Sequence, residues 1–169
     1  MHRFFVFLAL AAVTFVPFDA AAQSGTTSTE PRTAVDACLS RTSQDAQGSC
    51  IGAYADACMD TSEGQTTLGM TNCVRAESDA WDAILNENYQ ASMTEAKAVD
   101  ADRSVSSSTD SEAAASLRAA QRAWITFRDA ECARIFELYK DGSIRLPLTA
   151  GCVNRLTAER ALELRSTAQ

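Results

Sequence analysis

The chain has 169 residues, 46% of them apolar, 22% charged and 7% aromatic, and a formal net charge of −7. That length suits one domain with a core of its own, and the ordinary apolar fraction excludes a collagenous or wholly disordered chain. The acidic balance argues against a nucleic-acid partner, which would need a basic surface to displace counterions.

The first residues read as a leader. Met1-His2-Arg3 gives a short basic start, Phe4 to Phe18 an apolar run, and Ala20 and Ala22 the small residues of a cleavage site before Gln23. A membrane span needs about 20 apolar residues. This run is shorter and contains Pro17, so no membrane anchor is expected after cleavage. The predicted organisation is a signal peptide over 1–22, a flexible Ser/Thr/Gly tail over 23–30 and a single domain over 31–169. The expected destination is the periplasm, or the medium beyond it.

Cleavage removes the one histidine, His2, and leaves all six cysteines: Cys38, Cys50, Cys58, Cys73, Cys132 and Cys152. An even count in an exported chain reads as three disulfides formed in an oxidising compartment. A structural zinc would need four cysteines here, and the C-x₂-C pair typical of such sites is missing. No metal and no cofactor is expected.

Pro31 is placed to open a first helical turn after Ser28 or Thr29, followed by Val35, Cys38 and Leu39 at helical spacing. Ile51, Tyr54, Ala55, Cys58 and Met59 follow as one face of a second helix, ended by Gly64. Met70, Cys73, Val74, Trp81, Ile84, Leu85, Tyr89, Met93 and Ala96 mark a long third helix. A serine-rich linker over 104–111 interrupts it, and Thr109 with Glu112 matches a capping box for the next helix. That helix presents Leu117, Ala120, Trp124, Phe127, Ile135 and Leu138. Asp141-Gly142 stops it, Pro147 is expected to hold the following segment out of helix, and a last helix begins between Thr149 and Val153.

No segment alternates like a strand. The fold class is all-α: a small disulfide-bonded bundle built on a long antiparallel helical hairpin, with shorter helices flanking it. A turn near Val105 sets Asp82 opposite Arg128, predicting a partly buried ion pair beside Trp81 and Trp124. That role for Asp82 is structural rather than catalytic.

The residues for catalysis are sparse. Without histidine there is no Ser-His-Asp or Cys-His site, and the even cysteine count leaves no thiol nucleophile. There is no glycine-rich phosphate loop and no C-x-x-C redox motif. Glu77 with Asp79 and Asp82, and Asp129 with Glu131, read as solvated helix faces or arginine partners, not as a glycosidase pair. The chain reads as a non-enzyme.

One pattern is more specific. Thr67, Met70, Cys73, Trp81-Asp82, Leu85-Asn86 and Tyr89 form its first half. Gln121, Trp124, Phe127-Arg128, Cys132, Gly142-Ser143, Cys152, Thr157, Arg160 and Leu164 form the second. With the segment AQRAWITFRDAEC following WDAILNENY, this resembles the LprI-like lysozyme inhibitor N-terminal domain family of bacterial envelope proteins over about 58–164. The resemblance implies an exported, disulfide-bonded helical domain, and an activity as an inhibitor of lysozyme or another peptidoglycan-cleaving enzyme. The stretch with Cys38 and Cys50 extends beyond the family pattern, and no lipid-attachment cysteine is present near the leader.

Cysteine spacing favours local pairing, Cys38 with Cys50, Cys58 with Cys73 and Cys132 with Cys152; a bridge from Cys73 to Cys132 across the hairpin is the rival. From Gln23 to Asp102 acids outnumber bases 13 to 4, whereas from Arg103 onward bases lead 10 to 8. An acidic surface speeds encounter with a cationic enzyme, although it also simply keeps an exported protein soluble. A plug for a lysozyme cleft would need a protruding loop with hydrogen-bond donors. Lys140, Gly142, Ser143 and Arg145, beside the Cys132–Cys152 pair, are the candidates, set against the plainer reading of a helix stop. The competing function is a non-inhibitory interaction or structural module of the cell envelope.

Overall fold

The computed structural model describes residues 30–105 and 112–167, and side chains over 30–103 and 112–165. The expected leader, the tail to Thr29 and the linker centre with Thr109 lie outside the described residues. The elements in order are α1 (Pro31–Arg41), a 3₁₀ turn (Gln44–Cys50), α2 (Ala55–Met59), α3 (Thr67–Val105), α4 (Ala113–Leu138) and α5 (Arg145–Thr167). Among the described residues there is no strand. The all-α expectation holds.

Hydrogen bonds between elements set the directions. Asn88 Nδ2 donates to the Ala161 carbonyl at 2.8 Å, and Ser92 Oγ to the Leu164 carbonyl at 3.2 Å, so α5 runs parallel to α3. Arg160 Nε donates to Gln121 Oε1 at 3.1 Å, and Cys132 is bonded to Cys152, so α4 runs antiparallel to both. Trp81 and Leu85 of α3 are buried against Ala158, Ala161 and Leu164 of α5 and Val35 and Leu39 of α1. Tyr89, Leu117 and Trp124 close this core from its half-buried margin. The fully buried alanines of α5 let its backbone come close to α3, which makes α5 the main partner of the long helix.

The cross-links are the sequence-local ones. Cys38–Cys50 closes α1 onto the 3₁₀ turn, Cys58–Cys73 ties α2 to α3, and Cys132–Cys152 ties α4 to α5. No free cysteine remains.

Four local expectations need correction. Ile51 to Tyr54 is a turn, not helix, because the chain passes through Gly52 at φ +104°, a conformation that suits glycine. Pro147 lies inside α5, which starts at Arg145; a proline in the first turn interrupts no helical hydrogen bond, since that N–H has no partner there anyway. α4 starts at Ala113 rather than through a Thr109–Glu112 box, and its end is capped from α3: Asp100 accepts from the N–H groups of Ala113 and Ala114 at 2.8 and 3.1 Å. The inward stripe of α4 runs through Leu117, Gln121, Trp124, Arg128, Cys132 and Ile135. Phe127 and Leu138 are on its exposed sides.

Candidate interaction surface

Glu77 is fully buried, contrary to the solvated-face reading, and its carboxylate is a structural knot. Oε1 accepts from Gly52 N at 2.7 Å, Asn154 Nδ2 at 2.9 Å and Trp81 Nε1 at 3.1 Å. Oε2 accepts from Tyr54 N at 2.9 Å and Ala55 N at 2.8 Å. Five N–H groups from the 51–54 turn, α2, α3 and α5 thus converge on one side chain. The signal was faint: a lone glutamate one helical turn before a core tryptophan, four residues on.

The expected Asp82–Arg128 pair does not form. Asp82 is exposed and accepts from Asn86 Nδ2 at 3.0 Å. Arg128 donates to Asp129 at 2.9 Å and lays its guanidinium 5.0 Å from the Trp124 ring centroid. α5 occupies the position facing this part of α3. Two hydrogen bonds between α3 and α4, from Ala113 to Asp100 and from Arg118 to Met93, sit close to the linker. Asp129 and Glu131 are likewise arginine partners, Glu131 with Arg134 at 2.6 Å. The bonds from Arg134 hold the Glu131 carboxyl below the ordinary glutamate range. Two bonds from Arg32 do the same for Glu87, joining α1 to α3.

The surface of most interest is where α4 turns into α5. Bonds from Gly142 N to the Tyr139 carbonyl (3.0 Å) and from Leu146 N to the Ser143 carbonyl (3.2 Å) fold 139–146 into consecutive tight turns. Arg145 points back into this loop, where Nη1 donates to the carbonyls of Lys140 at 2.8 Å and Gly142 at 3.2 Å. Its guanidinium also sits 5.3 Å from the Phe136 ring centroid. Arg145 therefore shapes the turn, while Lys140 and Ser143 are exposed and Gly142 is half-buried. The Cys132–Cys152 bridge clamps the two helices behind it.

Around this turn Leu138, Tyr139, Ile144 and Leu148 keep 64%, 43%, 46% and 37% of their surface exposed. The sequence reading missed this apolar rim because it assigned Leu138 to the core and took Ile144 as loop. The remaining candidates, Trp81, Tyr89, Trp124, Gln121 and Arg160, belong to the core or its margin, where Arg160 also donates to Glu163 at 2.8 Å. Among the described residues no group of three or more histidine, cysteine, aspartate or glutamate side chains could hold a metal. No described helix is long and apolar enough to cross a membrane.

The result is a disulfide-stapled helical domain that carries an apolar turn at one end and has its buried carboxylate saturated. The chain belongs to the lysozyme inhibitor LprI family, whose profile matches residues 58–164, from Cys58 of α2 to the end of the core on α5. It is also 29% identical over 106 residues to an uncharacterised protein of Rhizobium meliloti (strain 1021), covering 63% of this chain and 76% of that protein. No solved structure matches it.

Proposed function

We propose that the protein is an exported inhibitor that binds a lysozyme and blocks its substrate cleft by occupation, without catalysis of its own. Family membership over the core carries this reading. The geometry adds a means: a tight turn braced by Arg145 and by a disulfide presents Lys140 and Ser143 outward with little conformational freedom left to lose on docking. Three disulfides suit an oxidising compartment such as the periplasm. The net charge of −7 favours encounter with a cationic enzyme.

The test is a cell-wall lysis assay with the chain from Gln23 onward, oxidised, added in molar excess to several lysozymes, with reduced protein as control. Near-stoichiometric, dose-dependent loss of lysis supports inhibition. No effect on any lysozyme favours the envelope-module reading instead. If Lys140→Ala with Ser143→Ala leaves inhibition intact, the turn is not the plug.

A further inference from the structure

At the other end of α5 from the 139–146 turn, α1, α3 and α5 enclose a pocket of about 270 Å³. Leu39 and Ile84, both buried, form its floor, and charged or polar side chains of all three helices stand around them. The α1 side belongs to the stretch before residue 58, outside the family match. The Cys38–Cys50 bridge fixes α1 to the 3₁₀ turn, and the buried Gln47 of that turn donates to the Leu39 carbonyl at 3.3 Å. This extension completes a pocket that the matched core does not form by itself.

The unusual residue is Arg165, in the last turn of α5. It is half-buried, and a charge taken partly out of water is normally paired. The other half-buried arginines follow that rule: Arg32, Arg128 and Arg160 hold carboxylates, and Arg145 holds two backbone carbonyls. Arg165 has one bond among the described residues, of 3.4 Å from Nη1 to the Gln47 amide oxygen. Its guanidinium lines the pocket with most of its N–H donors uncommitted, in the planar form that matches a carboxylate.

The lining from α1 and α3 has the opposite sign. Arg32 alone serves two carboxylates, Asp36 through Nε at 2.7 Å and Glu87 through Nη1 and Nη2 at 2.8 Å, which leaves one negative charge in excess. Asp36 uses only Oδ2 for Arg32, and its Oδ1 has no partner among the described residues. Asn88 gives Nδ2 to the Ala161 carbonyl at 2.8 Å, and its Oδ1 is likewise an open acceptor among the described residues. The pocket thus offers donors from α5 and acceptors from α1 and α3 over an apolar floor. A phosphate would suit Arg165 but be repelled by the acidic excess, and a plain amine would leave Arg165 unanswered. The complement carries both an ammonium and a carboxylate on a short carbon body. The volume, below the ~300–1,000 Å³ of sites for drug-sized ligands, holds that body to a small one.

We propose that this pocket binds a small free α-amino acid, its carboxylate on the Arg165 guanidinium and its ammonium on Asp36 and the Asn88 amide oxygen. The site is independent of the inhibitor reading. The test titrates the isotope-labelled, oxidised chain from Gln23 onward with glycine and with both enantiomers of alanine, at low salt and up to about 10 mM, where even a millimolar complex is mostly formed. Nuclear magnetic resonance should show saturable shifts at the Arg165 Nε–H, the Asn88 side-chain amide and the Ser40 backbone. Propionate, which lacks the ammonium, and ethylamine, which lacks the carboxylate, should each bind about tenfold or more weakly than alanine. Alanine should lose about as much affinity in Arg165→Gln and in Asp36→Asn, with thermal melts confirming that both variants fold. No saturable shift with any of the three amino acids overturns the site, as does alanine binding unchanged in a folded Arg165→Gln. Propionate or ethylamine binding as tightly as alanine overturns the amino-acid assignment, and this comparison uses the wild-type chain, so it decides even where a variant does not fold.

Discussion

Glu77 on α3 and Asn154 on α5 share a 2.9 Å hydrogen bond across 77 residues of sequence. The same carboxylate takes the backbone N–H groups of Gly52, Tyr54 and Ala55 and the indole N–H of Trp81. Glu77→Ala would strand five donors, three of them buried, each costing up to about 1–3 kcal/mol if no water replaces the oxygen. Partial relaxation reduces the sum, and a loss of about 3–5 kcal/mol is expected. Thermal melts with disulfides intact measure it. A shift of only a degree or two would mean that the carboxylate is not the knot described. Glu77→Gln retains one acceptor oxygen and should fall between the two.

The helices were readable because their apolar residues recur at three- and four-residue steps, and Trp81, Leu85 and Tyr89 fall in or against the core that this periodicity predicts. Periodicity reports which face is apolar, not which element covers it. α5 therefore took a place against α3 that hairpin geometry had assigned to α4, and the Asp82–Arg128 pair was lost with it. Pro147 was misread because its effect depends on helical position: it breaks a helix interior but suits a first turn. Glu77 was illegible for a different reason. Its burial depends on backbone donors from the 51–54 turn, and backbone groups carry no signature in the sequence.

The Cys132–Cys152 bridge closes a loop with a sequence separation of 20 and spans the turn between α4 and α5. Chain entropy assigns a cross-link of this size about 3 kcal/mol. The double substitution Cys132→Ala with Cys152→Ala should lower denaturant stability by about that amount. Amide exchange over 139–146 should rise beyond the global change, because the clamp behind the turn is gone. Equal protection of the turn in both proteins would place its order in the Arg145 bonds alone.

Arg32 donates two hydrogen bonds to Glu87, each of 2.8 Å, and these hold the carboxyl below the ordinary glutamate range. The folded chain therefore binds this proton less tightly than the unfolded chain. The pair's contribution is complete above about pH 4.3 and disappears as the pH falls through the lowered folded value. Both side chains are substantially exposed, so solvent screening keeps the effect small. Glu87→Gln should melt about 1–3 °C below wild type at neutral pH and low salt. The two curves should converge in acid. A gap that persists or widens below pH 3 would contradict the sign of this linkage.

Two glycines on neighbouring helices should respond in opposite directions to the same substitution. Gly69 lies where α3 begins against the 60–66 loop, and an added methyl collides with the Glu63 carbonyl, a backbone atom with little room to yield. Gly69→Ala should destabilise by about 1–3 kcal/mol despite its better helix propensity. Gly151 faces open space, so Gly151→Ala collects the propensity gain with no clash to offset it. That gain is about 0.5–1 kcal/mol, or a rise of about 1–4 °C in melting temperature for a domain of this size. Parallel melts of the two variants check the pair. A fall in both would show that α5 needs glycine at 151 for packing.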